Sequence, residues 1–60
     1  MDDKIMVQAA VNAGFHALEV EGGTVISGQA GAGITVIIPK GKLGSWLIGK
    51  IVKRLGLALT

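Results

Sequence analysis

Lys40, Lys42, Lys50, Lys53 and Arg54 are threaded through Leu43, Trp46, Leu47, Ile48, Ile51, Val52 and Leu55 in the last third of a 60-residue chain. On a helix, residue types in that order give one cationic flank and one apolar flank, a pattern suited to an anionic surface. All four carboxylates (Asp2, Asp3, Glu19 and Glu21) lie at or before position 21, and Gly22 to Pro39 carries no charge. The net charge is only +2, so the segregation says more than the sum. The five basic residues are therefore the expected anionic-surface contacts. Trp46, Leu47, Ile48, Ile51, Val52 and Leu55 are the expected membrane-interface residues, with the indole at headgroup depth. The expected partner is an anionic lipid membrane or, in the alternative, nucleic acid, because the same cations neutralise phosphates.

Catalytic chemistry has little to work with. Ser27 and Ser45 could act as nucleophiles only beside a base, and His16 is the sole histidine. Cysteine is absent, and one histidine with four scattered carboxylates makes no metal cage, so no cofactor is expected. The cluster from Gly28 to Gly33 lacks the Gly-Lys-Ser/Thr ending of a phosphate loop. The chain is expected not to be an enzyme.

The elements expected to position these residues make a mainly α fold in one small domain. Residues 1–21 read as a helix from Asp3 to Val20, capped by Asp2 or Asp3. Lys4, Gln8, Asn12, His16 and Glu19 fall on one polar stripe, and Ala9, Ala13 and Ala17 form a row suited to helix packing. Gly14 is a weakness within it, and Gly22-Gly23 ends it. Residues 22–39 form an uncharged, glycine-rich segment. Thr24–Ser27 and Ile34–Ile38 are rich in β-branched residues and read as a hairpin turning at Gly28 to Gly33; a flexible apolar segment is the other reading. Pro39 stops it, and residues 40–60 read as the basic amphipathic helix, running from Leu43 to about Leu59. Gly44, Gly49 and Gly56 weaken that helix in water by roughly 1 kcal/mol each, which favours its forming against a partner.

Half the residues are hydrophobic, but a chain this short buries a modest share of its surface and lacks disulfides. Self-association or a lipid surface would supply the missing burial, so a homo-oligomer is expected. The Asp2-Asp3 opening does not match a secretory signal, and glycines interrupt the longest uncharged stretch too often for a spanning helix.

The segment from Gly41 to Thr60 resembles the cationic, glycine-studded amphipathic helices of unmodified (class II) bacteriocins. Leu18-Glu19-Val20-Glu21-Gly22-Gly23 is similar to the end of a double-glycine export leader. That resemblance implies a secreted or membrane-surface antimicrobial peptide spanning residues 24–60, with five positive charges and no negative one. The order acidic, neutral, basic is similar to the layout of filamentous phage coat proteins, from which Pro39 and the glycine-broken centre depart. It implies a self-assembling virion subunit with its basic end facing nucleic acid. A small soluble interaction module is the third expectation.

Overall fold

Two glycine-terminated helices flank three consecutive strands. The computed structural model describes residues 1–28 and 35–57, in the order α1 (Asp3–Asn12), β1 (His16–Val20), β2 (Gly23–Ser27), β3 (Thr35–Pro39) and α2 (Ser45–Leu55). The sheet is antiparallel with strand order β1-β2-β3. The expectation of a mainly α fold is thus overturned: the chain is α+β.

The first helix stops at Asn12, well short of Val20, and Gly14 is the reason. Its φ of 98° is the left-handed conformation that glycine adopts without a Cβ penalty. The Gly14 N–H donates to Val11 O and the Phe15 N–H to Ala10 O, both at 3.0 Å, which satisfies the last carbonyls of α1. Phe15 then folds onto the core. The same device ends α2, where Gly56 has φ 68° and the N–H of buried Leu57 donates to Val52 O at 3.0 Å. The helix expected over residues 40–60 therefore occupies Ser45–Leu55 alone; Leu59 lies outside the described residues. Of its three supposed weak points, Gly44 caps the start and Gly56 the end, so only Gly49 is interior.

His16–Val20, expected on the first helix, is the edge strand β1. A two-residue connection, Glu21-Gly22, returns the chain into β2 with Val20 opposite Gly23. Gly22-Gly23 accordingly marks a hairpin turn and a strand start, not a helix end. The expected strand pair is present as β2 and β3, with Ser27 opposite Thr35 and Gly23 opposite Pro39. Residues 29–34, which hold most of the expected turn and Ile34, lie outside the described residues.

Both helices cover one face of the sheet. Met6 and Ala10, four apart on α1, meet Ile26 of β2 and Ile38 of β3, while α2 and its flanks add Leu43, Ile51, Leu55 and Leu57. The chain start is clasped to the segment leading into α2. The Met1 ammonium donates to Leu43 O at 3.2 Å, the Leu43 N–H to Met1 O at 2.6 Å, and the Asp3 N–H to Gly41 O at 3.0 Å. Asp2 and Lys42 form an antiparallel bridge between them.

Asp2 caps α1 by accepting the Lys4 N–H at 3.2 Å. A hydrogen bond shared with the Asp3 side chain, and then the Lys4 N–H, hold its carboxyl below the ordinary value of 3.8. A depressed carboxylate stabilises the fold above its unfolded pKa and loses that contribution as pH falls through the lowered value. Asp2→Ala is thus expected to lower the urea midpoint at neutral pH, with the difference from the native chain vanishing in strong acid.

Candidate functional site

Lys50, Lys53 and Arg54 lie three and four residues apart, so α2 presents them on one flank, where all are exposed and line a common depression. Lys50 and Arg54 also border a groove between α2 and β3, lined by Thr35, Val36, Ile37, Leu47 and Ile51. Among the described residues, no carboxylate lines either surface. Like charges at this spacing repel by a few tenths of a kcal/mol per pair, a strain that an anionic partner relieves. Lys53 and Arg54 occupy the last turn, where the helix dipole favours cations and offsets part of that repulsion.

Trp46 stands one turn before Lys50 and is 75% exposed. The Lys50 Nζ lies 4.4 Å from the centroid of its ring, within range of a cation–π attraction of about 0.5–1 kcal/mol at an exposed site. The result is a flank with three cations and one large, wettable aromatic.

The rest of the expected site is divided. Lys40 and Lys42 belong to the connection between β3 and α2, beside the acidic start of the chain. Lys40 shares an open groove of about 640 Å³ with Asp3, Lys4, Gln8, Glu19 and Thr24, where charges of both signs balance. Three of the five basic residues thus form one cationic cluster; Lys40 and Lys42 stand apart from it, and Lys40 shares its groove with carboxylates.

The apolar flank of α2 is already occupied. Ile51 and Leu55 are 3% and 7% exposed within the core, and Leu47, Ile48 and Val52 pack partly buried against it. Of the six residues expected at a membrane interface, Trp46 alone is exposed. The row of Ala9, Ala13 and Ala17 does not exist as a helix face. Ala9 packs on the core, Ala13 follows the end of α1, and Ala17 is in β1. The polar stripe is cut the same way: Gln8 donates to Asn12 Oδ1 at 2.9 Å on α1, whereas His16 and Glu19 occupy opposite faces of β1.

His16 lies opposite Ser27, with Thr35 next across the sheet. Glu19 points to the other face, and among the described residues the strands place no carboxylate on the face of His16. Among the described residues, no helix is long and apolar enough to cross a membrane.

The feature missed by sequence reasoning is the outer face of the sheet. The alternation His16-Ala17-Leu18-Glu19-Val20, ending in a Glu-Gly turn, is the signal that could have found it. Compared with known proteins, the chain matches no family model, no curated protein and no solved structure.

Proposed function

We propose that the chain is a small α+β binding domain, not an enzyme, that docks as a folded unit on an anionic lipid surface through the outward flank of α2. One observation carries this reading: Lys50, Lys53 and Arg54 share an exposed surface on which no described residue places a carboxylate, with Trp46 projecting beside them. Each cation near an anionic bilayer contributes about 1 kcal/mol, so three hold the domain weakly and reversibly, and salt screens them. Trp46 supplies the interfacial anchor. Ile51 and Leu55 stay in the core, so docking is superficial and breaches no bilayer.

Titration with vesicles of anionic or zwitterionic lipid tests it, with the single tryptophan as reporter. The expected result is a blue shift on anionic vesicles only, at low salt, without dye leakage. It should be lost when Lys50→Glu, Lys53→Glu and Arg54→Glu are combined. Absence of binding by the native chain, or unchanged binding by the triple variant, rejects the reading. Binding to duplex nucleic acid but not to vesicles would reassign the same cations to phosphate recognition.

A further inference from the structure

We infer that the bare face of the sheet is a homodimer interface, where a second copy of this chain packs face to face to give a helix–sheet–sheet–helix sandwich. The inference rests on the strand register and not on the cationic flank of α2, although Thr35 and Ile37 also border the groove that Lys50 and Arg54 line.

The strand register defines the face. Leu18, Val25 and Ile37 form a row across all three strands, with Val20, Gly23 and Pro39 on one side and His16, Ser27 and Thr35 on the other. None of the nine is Lys, Arg, Asp or Glu. Leu18 and Ile37 are 66% and 63% exposed. At its far end β1 departs from what a two-layer monomer calls for: Glu19 joins Ala17 and Thr24 on the helix-bearing side, while Leu18 and Val20 take the uncovered side with His16.

Several observations favour a second copy as the occupant. The molecule extends 30 × 28 × 16 Å, the short axis matching one helix layer on one sheet. Its three strands of five residues present a face about 10 Å across and about 17 Å long, which the same face of a second copy would cover. The sheet edges are guarded against strand addition, β1 by inward-pointing Glu19 and β3 by Pro39. Association is therefore directed to the face. A face without Lys, Arg, Asp or Glu meets its own copy without repulsion.

Charge placement selects the arrangement. Glu21, in the β1–β2 turn, and Lys40, which follows β3, lie at the same end of the sheet, where the Lys40 N–H donates to Gly22 O at 3.1 Å. A two-fold axis running along the strands lays β1 over β3 of the second copy. It brings each Glu21 to the end that holds the other copy's Lys40. The same axis sets Leu18 against Ile37 of the second copy, twice, with Val25 meeting itself at the centre. An axis across the strands would separate the charges to opposite ends.

Sedimentation equilibrium from micromolar to millimolar concentration is the test. The native chain is expected to reach twice its 6.1 kDa mass. Leu18→Lys, and separately Ile37→Glu, should raise the dimer dissociation constant at least about a hundredfold, because each change strikes two symmetry-related contacts. Combined in one chain, the two substitutions should restore the dimer, since the introduced charges face each other across the axis. A native chain that stays monomeric throughout, a single variant that dimerises undiminished, or a double variant that is not restored overturns the proposal. Both positions are largely exposed in one copy, so the fold should survive, as circular dichroism would verify. Leu18→Ser serves as the second variant if Leu18→Lys loses its helical signal.

Discussion

Ile51→Ala is expected to lower the free energy of unfolding by about 2–5 kcal/mol. A domain of this length holds roughly 3–9 kcal/mol in total, so the variant should be largely unfolded at or somewhat above room temperature. Ile51 is 3% exposed and belongs to the cluster of Met6, Ala10, Ile26, Ile38, Leu43, Leu55 and Leu57, drawn from both helices and two strands. Removing its branched side chain leaves a cavity that no single element can close alone. Urea titration followed by circular dichroism gives the size of the loss. The result also separates two readings of the amphipathic helix. If Ile51 met lipid, alanine would weaken vesicle binding and spare the fold in buffer. With Ile51 in the core, alanine largely unfolds the chain in buffer, while Lys50→Glu, Lys53→Glu and Arg54→Glu, on an exposed flank, cost the fold less, through the helix dipole alone.

Gly23→Ala should destabilise almost as much, for a different reason. At the start of β2 the backbone of Gly23 presses against the Ile38–Pro39 peptide of β3. A Cβ there would collide with the Ile38 carbonyl oxygen and sit 3.2 Å from Pro39 Cα. The obstacle is main chain, so relief requires the two strands to part at the Gly23–Pro39 pair. Overpacking of this kind costs about 1–3 kcal/mol, or several degrees per kcal/mol in the melting temperature of a domain this small. Gly49→Ala is the control of opposite sign. Gly49 is interior to α2, and nothing lies within 4 Å of an added Cβ, so alanine should raise the melting temperature. Equal effects of the two substitutions in thermal melts would contradict the packing described for Gly23.

Much of the fold was legible where local chemistry agrees with the tertiary environment. The β-branched run at Thr24–Ser27, the strand before Pro39, the Asp2 cap and the four-residue recurrence of Leu47, Ile51 and Leu55 all announce their elements. The region from Gly14 to Gly23 misled because polar residues at Lys4, Gln8, Asn12, His16 and Glu19 keep helical spacing by coincidence across a helix stop. Gly14 followed by Phe15 is the stronger signal, since glycine with an apolar successor is how both helices end. Half of the candidate site was legible too. Lys50, Lys53, Arg54 and Trp46 are exposed together as their spacing implies. An amphipathic periodicity, however, does not say whether its apolar side meets lipid or the chain's own core. Here a three-stranded sheet supplies the cover that two helices alone could not.

The clasp between the start of the chain and the connection into α2 joins groups 42 positions apart. Bringing such distant segments together in an open chain is entropically expensive, and it becomes cheap only once α1 and the intervening strands have docked. The clasp is therefore expected to close near the end of the folding reaction. Breaking its hydrogen bonds at Leu43 and Gly41 should then speed unfolding and leave the refolding rate nearly untouched, which stopped-flow unfolding and refolding would check.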